Sequence, residues 1–270
     1  MITLGVDIGS LTGKALVLGD DSILAWDLVP TGPDSAETGT AVTESALARA
    51  GLSLSDMDCV VSTGYGRIVI PFATRNVSEI SCHAKGAHWF FPSARTILDM
   101  GGQDCKAIRC DERGKVQNFV MNDKCAAGAG RSMGIMAELV KVPLEQIGAL
   151  SLESADGVPI SSTCVVFARS EVLGYLRKGV PKSDILAGSC KALTSRVTGL
   201  LRRVGVEKDF VISGGIAKNA GVVKRLEAKL GLPASICFEP QIVGALGAAI
   251  FGREIVESKG RRRPRRRDGG

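Results

Sequence analysis

The stretch Asp7–Lys14, with the sequence DIGSLTGK, decides the fold because it ends one apolar strand and begins another. Residues 2–8 form the first predicted strand, and Ala15–Leu18 lie in the second. Glycine at positions Gly9 and Gly13 lets the backbone turn sharply and direct its N–H groups toward an anion. The stretch therefore predicts a phosphate-binding turn between two antiparallel strands.

The polar side chains of this turn suit a nucleotide phosphate with a magnesium ion. Ser10 and Thr12 offer hydroxyl donors, and Lys14 offers a positive charge. Asp7 is placed to hold Mg²⁺, which keeps several water ligands in proteins. The turn is not a P-loop, since three residues rather than four separate its glycines and Ala15 replaces the metal-binding serine or threonine. A glycine-rich hairpin with a chance lysine is the alternative interpretation.

The pattern occurs a second time at Asp99–Asp104, with the sequence DMGGQD. Predicted strands at Thr96–Met100 and Cys105–Arg109 flank it, and Asp99 again stands at the end of a strand. Gln103 is suited to orient an attacking water, a role that glutamine plays in other nucleotide hydrolases. The candidate phosphate-binding glycines of this second turn are Gly101 and Gly102. The repetition indicates a weak internal duplication, and a purely structural hairpin is the alternative.

A third glycine element lies at Ile212–Asn219, between a predicted strand at 209–213 and a predicted helix at 218–230. Helix N-termini favour anions, and glycines allow a flat nucleotide group to lie close to the backbone. The candidate nucleotide-binding residues of this element and of the chain that follows are Gly214, Gly215, Asn219 and Gln241.

The remaining pattern predicts an α/β protein of two similar halves with a cleft between them. Further strands are predicted at residues 23–28, 59–62, 116–121 and 236–238. Further helices are predicted at residues 34–50, 78–91, 129–141, 143–150, 165–178, 182–204 and 241–256. We place the boundary near residue 121, which gives halves at 1–121 and 122–258 and a basic tail at 259–270.

The charge of the 270-residue chain is concentrated in that tail. The whole chain carries a net charge of +6. All of this excess lies in residues 259–270, and the rest of the chain has equal numbers of acidic and basic residues. Such a run is typical of a disordered tail that contacts nucleic acid or an acidic partner. Only 4% of the residues are aromatic, which argues against a protein that stacks on bases. A nucleic-acid partner is therefore not expected.

The composition favours a cytoplasmic protein. No run of eighteen apolar residues predicts a membrane span, and the N-terminus enters a strand pattern without a signal segment. We expect the eight cysteines to stay reduced. None of them forms a Cys-x-x-Cys pair, so a zinc ribbon or a thioredoxin site is not expected.

The three glycine elements, in this order, resemble the actin, sugar-kinase and heat-shock-chaperone ATPase superfamily. The resemblance implies two ribonuclease-H-like halves that close on ATP and Mg²⁺. The first two turns match the two phosphate loops of that superfamily, and Gly214–Gly215 match its adenosine loop.

Five longer runs resemble one branch of this superfamily, the activator ATPases (component A) of 2-hydroxyacyl-CoA dehydratases and the related ATPase subunits of benzoyl-CoA reductase. The runs are Thr63–Arg67, Glu79–Ala84, Asp99–Asp104, Asn122–Arg131 and Ile160–Ala168. The resemblance covers residues 1–255. It implies a homodimer with one shared 4Fe–4S cluster, to which each subunit contributes Cys125 and Cys164.

The local sequence is consistent with this role for the two cysteines. Both precede predicted helices, and a helix N-terminus lowers the pKa of a nearby thiol and stabilises an anionic cluster. Ser161, Ser162 and Thr163 are plausible helix caps. Burial as a small apolar residue is the alternative. That alternative is our prediction for the other six cysteines, which are Cys59, Cys82, Cys105, Cys110, Cys190 and Cys237.

Three further polar residues stay outside the predicted chemistry. His83 and His88 are the only histidines, and a lone helical histidine is more often packed or solvated than catalytic. Arg67 contacts either a phosphate or a carboxylate, and the sequence leaves both open.

The resemblance implies an ATPase that drives a low-potential electron from ferredoxin or flavodoxin into a 2-hydroxyacyl-CoA dehydratase. In that cycle Mg²⁺ lies near Asp7 and Asp99, and the attacking water lies near Gln103. An ATPase subunit of a benzoyl-CoA-type reductase is the second interpretation. A small-molecule kinase on the same fold is the third, and the cysteine runs argue against it because a kinase needs no cluster.

Overall fold

The computed structural model describes residues 1–20, 22–122, 130–154, 156–161 and 165–262. The chain divides into two compact units, of which the first comprises Met1–Cys82 with Gly244–Gly270 and the second comprises His83–Val243. Each unit has one five-stranded sheet.

The first unit has its sheet in the order β3-β2-β1-β4-β5. Its strands are β1 (Thr3–Ile8), β2 (Thr12–Leu18), β3 (Ile23–Pro30), β4 (Cys59–Gly64) and β5 (Arg75–Asn76). Its helices are α1 (Ser35–Ala50), the start of α2 (Glu79–Phe90) and, from its second residue, α8 (Val243–Arg262). Strand β1 is antiparallel to β2 and parallel to β4.

The second unit has its sheet in the order β10-β9-β6-β7-β8. Its strands are β6 (Thr96–Met100), β7 (Cys105–Cys110), β8 (Val116–Met121), β9 (Phe210–Ser213) and β10 (Ala234–Ser235). Its helices, besides the rest of α2, are α3 (Gly130–Val140), α4 (Ile147–Ser151), α5 (Val165–Arg177), α6 (Lys182–Val204) and α7 (Ala220–Leu230). Strand β6 is antiparallel to β7 and parallel to β9.

The two sheets repeat one topology, which confirms the predicted duplication. In both, an antiparallel meander of three strands is extended by two parallel strands beside its first strand. The registers also correspond, because Asp7 lies opposite Lys14 and Asp99 lies opposite Lys106. The duplication therefore places the two glycine turns at equivalent points of equivalent sheets.

The compact units divide the chain at points that differ from the predicted boundary near residue 121. Strands β6, β7 and β8 precede residue 122, yet they share a sheet with β9 and β10. Helix α8 comes last in the chain, yet it packs on β1. There the Thr3 hydroxyl donates to the Ala249 carbonyl over 2.9 Å, and Gly5 lets the Ala245 carbonyl come close. The first unit therefore combines the two ends of the chain, and a single boundary in the sequence does not separate the units.

The ends of the helices follow from local capping. Asp34 precedes α1 and accepts hydrogen bonds from the N–H groups of Ala36 and Glu37, over 2.6 and 3.3 Å. The helix ends at Gly51, whose φ of +67° is accessible to glycine at little cost. Because these signals lie in the sequence, the predicted helix at 34–50 differs from the observed one by a single residue.

Each sheet is buried between helices. Every residue of β1 is buried, and Leu4, Val6 and Ile8 share a core with Val42 and Ala46 of α1. In the second unit, Leu98 and Met100 of β6 share a core with residues of α3, α6 and α7. In the described part of the chain, no helix combines the length and the apolar character that crossing a membrane requires.

The predicted strand at 236–238 is wrong. The last strand of the second sheet is β10, and it pairs with only two residues of β9. The N–H group of Ala234 donates to the carboxylate of Glu227 over 2.9 Å. Ile236 packs against the core of the second unit, but Phe238 has 68% of its surface exposed, and neither residue belongs to a strand.

Candidate functional site: two aspartate-lysine turns

The first turn joins β1 to β2 and is closed by its own backbone. The N–H group of Gly9 donates to the Thr12 carbonyl over 3.0 Å. The Gly9 carbonyl accepts from the Thr31 hydroxyl over 2.9 Å, and the Leu11 carbonyl accepts from the Thr31 N–H over 2.9 Å. Since Thr31 directly follows β3, this turn is fastened to its own sheet.

An ion pair lies at the base of the first turn. The Lys14 ammonium is 3.2 Å from Oδ2 of Asp7 and also donates to the Thr12 carbonyl over 3.2 Å. Both charged residues are buried. Gly64, at the end of β4, has a φ of +82°, and a side chain there would collide with Asp7. The structure therefore brings Asp7, Thr12 and Lys14 together, with Gly9 in the same turn.

The remaining predicted residues of the first turn lie at its edge or beneath it. The side chain of Ser10 is partly exposed. Gly13 is buried, and a side chain there would press on Thr38 of α1. Gly13 therefore serves the packing of α1 on the sheet.

The second turn joins β6 to β7 with the same backbone geometry. The N–H group of Gly101 donates to the Asp104 carbonyl over 2.9 Å, as Gly9 does to Thr12. The position of Thr12 is taken by an aspartate, and Lys106 takes the position of Lys14. Gly102 and Gln103 occupy the middle of the turn and are partly exposed.

Lys106 is the centre of a denser group of charges than Lys14. Its ammonium donates to Oδ1 of Asp104 over 2.8 Å and lies 3.6 Å from Oδ2 of Asp99. All three side chains are at most 5% exposed. Lys106 therefore contacts two buried carboxylates, whereas Lys14 contacts one.

The other oxygen of Asp99 faces a histidine and a serine. The Ser213 hydroxyl donates to Oδ1 of Asp99 over 3.2 Å. Nδ1 of His83 lies 3.4 Å from the same oxygen and 3.1 Å from the Ser213 hydroxyl oxygen. Ser213 and His83 are both buried. These contacts fix the orientation of the Asp99 carboxylate.

The third glycine element is next to the second turn. Gly214 has a φ of +81°, and a side chain there would approach Oδ1 of Asp99 to 2.8 Å. Its N–H group donates to the Pro240 carbonyl over 2.9 Å. The Gln241 carboxamide carbon lies 3.7 Å from the point where a side chain on Gly215 would begin. The structure thus gathers Asp99, Gly214, Gly215 and Gln241.

Asn219 serves α7 with its side chain. Its amide oxygen accepts from the N–H group of Val222 over 3.1 Å and so caps the helix. Beside it, the Lys218 ammonium donates to Glu239 over 2.7 Å. A role for Asn219 in nucleotide binding stays a prediction.

Cys125 and Cys164 lie outside the described residues. Helix α5 begins at Val165, directly after Cys164, and α3 begins at Gly130, five residues after Cys125. Over the described ranges, no three His, Cys, Asp or Glu side chains are grouped so that they could hold a metal ion.

The other six cysteines are poor candidates for metal ligands. Five are buried, and Cys237 is partly exposed. Burial raises the pKa of the Cys82 thiol to about 12 and those of Cys110 and Cys237 to about 11. Burial also raises the pKa of Cys105 and of Cys190. A metal ligand must be a thiolate, so these environments oppose ligation.

Arg67 contacts a carboxylate. Its guanidinium donates to the Gly64 carbonyl over 2.9 Å and to Glu79 over 3.3 Å. His88 contacts the backbone, with Nε2 at 2.9 Å from the Glu112 carbonyl. Both residues therefore hold local structure.

Four residues around the second turn were not predicted as site residues from the sequence. They are His83, Asp104, Lys106 and Ser213. Lys106 was detectable, because the spacing Asp7 to Lys14 recurs as Asp99 to Lys106. Ser213 and His83 carried no such signal, since their proximity to Asp99 depends on the pairing of β6 with β9 and on the placement of α2.

Comparison with known proteins identifies the family. The chain is 45% identical to the activator of lactoyl-CoA dehydratase from Anaerotignum propionicum over 96% of this chain and 100% of that protein. It is 31% identical to one of the subunits of benzoyl-CoA reductase from Thauera aromatica, over 93% of each chain.

Solved structures confirm the predicted fold class. The activator of the 2-hydroxyisocaproyl-CoA dehydratase from Clostridium difficile, solved with bound ADPNP, superposes with a TM-score of 0.91. Its identity is 38%, over 97% of each chain. A ROK family glucokinase from Streptomyces griseus has a TM-score of 0.59 at 15% identity over 94% of this chain and 100% of that chain, and so shares the fold alone. The profile of one ATPase family matches residues 4–252, and the chain therefore belongs to the BadF/BadG/BcrA/BcrD ATPase family.

Proposed function

We propose that this chain is an ATP-dependent electron-transfer activator of a 2-hydroxyacyl-CoA dehydratase, and that it acts as a homodimer with one shared 4Fe–4S cluster. The observation that carries the proposal is the 45% identity to the activator of lactoyl-CoA dehydratase over the whole length of that protein. The duplicated aspartate-lysine turns add independent support, because they supply charge and backbone donors for a nucleotide.

The residues of the two turns bind different parts of ATP and of the attacking water. Gly9, Ser10 and Thr12 bind phosphate in the first turn, where Lys14 and Asp7 set the local charge. In the second turn, Gly101 and Gly102 bind phosphate and Gln103 orients the attacking water. Asp7 and Asp99, each at the end of the first strand of its sheet, lie near the Mg²⁺, which is held partly through water. Gly214, Gly215 and Gln241 receive the adenosine.

The resemblance to the activator ATPases implies Cys125 and Cys164 as the cluster ligands, and the properties of the other cysteines are consistent with this. The six other cysteines are partly or fully buried, and burial holds the pKa of five of them above that of a free thiol. Cys164 directly precedes α5, and helix N-termini stabilise negative charge. Two thiolates per chain, doubled by a twofold axis, provide the four ligands that such a cluster takes.

When bound, the cluster supplies a one-electron carrier of low potential. The donor is reduced ferredoxin or flavodoxin, and the acceptor is the dehydratase component. Hydrolysis of ATP to ADP and phosphate, in the sites above, makes the transfer unidirectional by favouring one conformation of the chain over another. A cytoplasmic location, expected from the composition, accompanies this proposal.

Iron and sulfide analysis of anaerobically purified protein tests the cluster. We expect equal amounts of iron and sulfide in the parent protein, which should elute as a dimer. Cys125→Ser and Cys164→Ser should each lose most of the iron. Cys237→Ser is the matched control and should keep it, because Cys237 is partly buried and its thiol pKa is raised to about 11. Full iron content in Cys125→Ser would refute the ligand assignment.

The choice of partner is tested separately. An ATPase subunit of a benzoyl-CoA-type reductase is the second candidate, because one of the subunits of such an enzyme is 31% identical to this chain. The two candidates differ in the component that is activated. We expect ATP-dependent activation of a 2-hydroxyacyl-CoA dehydratase component with reduced ferredoxin or flavodoxin, and no ATP-dependent reduction of benzoyl-CoA. The reverse result would favour the reductase.

A small-molecule kinase remains the alternative from another class. The likeness to the glucokinase is one of fold alone. If hydrolysis of ATP releases free phosphate in the absence of any sugar, and no phosphorylated sugar forms in its presence, the kinase interpretation is excluded.

A further inference from the structure

The start of α3 is hydrogen-bonded to the second turn. The N–H group of Gly130 donates to the Gly101 carbonyl over 2.8 Å, and the N–H group of Arg131 donates to the Gly102 carbonyl over 2.8 Å. The first N–H groups of a helix have no partners within the helix. Two of those donors in α3 are therefore satisfied by the turn that we assign to phosphate binding.

The first turn is fastened differently at the equivalent position. There the Gly9 carbonyl, which corresponds to that of Gly101, accepts from the Thr31 side chain over 2.9 Å. Thr31 directly follows β3. The first turn is therefore hydrogen-bonded to the end of a strand of its own sheet, whereas the second turn is hydrogen-bonded to α3.

The backbones of α3 and of the second turn approach each other closely at Gly130. A side chain on Gly130 would begin 3.1 Å from the Gly101 carbonyl oxygen and 3.7 Å from Cα of Gly102. Real side chains seldom come this close, so glycine is the residue that permits the approach. Gly134, one turn further along α3, faces open space, with no atom of the described residues within 4 Å of the same point.

Helix α3 in turn packs against α5. Met133 and Met136 of α3 and Ala168 of α5 belong to one buried apolar cluster, and Val165, the first residue of α5, packs against that cluster. The two helices are therefore in contact through their apolar side chains. A continuous path of contacts therefore leads from Gly130 through α3 to Val165, the residue that follows Cys164 in the sequence.

We propose that Gly130 is a positioning residue that couples the nucleotide state of the second turn to α3 and α5. The inference rests on the proposed nucleotide role of Gly101 and Gly102. When phosphate binding or release moves the carbonyls of these two residues, α3 must follow or two hydrogen bonds must break. A close-packed contact of this kind transmits small shifts between discrete arrangements.

Hydrogen–deuterium exchange of the full-length protein tests the coupling without reference to the cluster. The peptide that contains α3 is followed with and without a non-hydrolysable ATP analogue, in the parent protein, Gly130→Ala and Gly134→Ala. In the parent and in Gly134→Ala, we expect the analogue to slow exchange about threefold or more. In Gly130→Ala the added methyl displaces the helix start by a few tenths of an ångström, and the response should disappear while the affinity for the analogue changes less than about threefold.

Each result is decisive. Loss of the response in Gly130→Ala alone supports the coupling. A full response in Gly130→Ala overturns it. An unchanged α3 in the parent protein with the analogue bound also overturns it, even if Gly130→Ala cannot be purified. Absence of any binding of the analogue to the parent protein would instead refute the proposed ATPase function, from which the inference is drawn.

Discussion

The two aspartate-lysine turns share a scaffold and differ in their surroundings. Both have an aspartate at the end of the first strand of a sheet, a lysine opposite it on the second strand, and a glycine that closes the turn. In the first turn, Lys14 meets one carboxylate. In the second, Lys106 meets two, and Asp99 also contacts Ser213 and His83.

This difference shows how one backbone scaffold can hold two different side-chain environments. The shared features are those that the backbone requires, such as the left-handed glycines at Gly64 and Gly214. The features that differ are side chains at equivalent positions, such as Thr12 in one turn and Asp104 in the other. As a result, the lysine of the first turn contacts one carboxylate and the lysine of the second contacts two.

The largest expected difference between the turns concerns their lysines. Lys106→Met keeps the unbranched stem but leaves two buried carboxylates without this ammonium, and we expect a loss of about 3–5 kcal/mol in the free energy of unfolding. Lys14→Met removes the neighbour of a single carboxylate and should cost about 1–3 kcal/mol.

Urea unfolding with a probe for each unit measures both losses. The chain has two tryptophans, Trp26 in the first unit and Trp89 in the second. Trp89→Phe leaves a fluorescence probe of the first unit, and Trp26→Phe leaves one of the second. Equal losses for the two lysine variants would show that the extra charges around Lys106 do not distinguish the turns.

Substitutions at the equivalent glycines Gly64 and Gly214 should lower the free energy of unfolding by equal amounts. Gly64→Ala and Gly214→Ala each place a methyl group at a φ near +80° and against the carbonyl or carboxylate behind it. The left-handed conformation and the displaced neighbours should together cost about 2–4 kcal/mol in each case. The same unfolding experiment should give values for the two variants that agree within about 1 kcal/mol.

Matched controls for these two variants exist in each unit. Gly51 and Gly231 have φ values of +67° and +66°, and no atom of the described chain lies within 4 Å of an added methyl group. Gly51→Ala and Gly231→Ala should therefore cost only the conformational part, about 1–2 kcal/mol. If Gly64→Ala cost no more than Gly51→Ala, the close approach to Asp7 would carry no energy.

The sequence predicted those parts of the molecule that depend on local pattern. The helix at 182–204 was predicted with the observed bounds, since α6 has a long apolar stripe. The two turns were found because glycines and an aspartate follow apolar strands. The placement of α8 on the first sheet was not predicted, because the close approach of Gly5 to Ala245 depends on tertiary packing. For the same reason His83 was not recognised as a neighbour of Asp99.

The smallest expected difference concerns buried thiols near the two turns. Burial raises the pKa of Cys82, in the first unit, from about 9 to about 12. In the second unit, burial raises the pKa of Cys105, and the neighbouring carboxylates of Asp99 and Asp104 raise it further. In both cases the unfolded chain releases the thiol proton at lower pH than the folded chain does. The stabilisation is therefore complete below about pH 9 and is lost as the pH rises above that value.

Each of these thiols should thus lower the free energy of unfolding by about 1 kcal/mol between pH 8 and pH 10. Other groups also titrate in this range, so the informative quantity is the change in pH dependence that a substitution causes. Cys82→Ala should remove about 1 kcal/mol of that dependence from the unfolding followed by Trp26, and Cys105→Ala the same amount from the unfolding followed by Trp89. Each substitution should leave the pH dependence of the other unit unchanged and so provides its control. If Cys105→Ala left the pH dependence of the second unit unchanged, the pKa of the Cys105 thiol would be the same in the folded and the unfolded chain. Burial and the carboxylates of Asp99 and Asp104 would then not raise the pKa of Cys105, contrary to the charge environment described for the second turn.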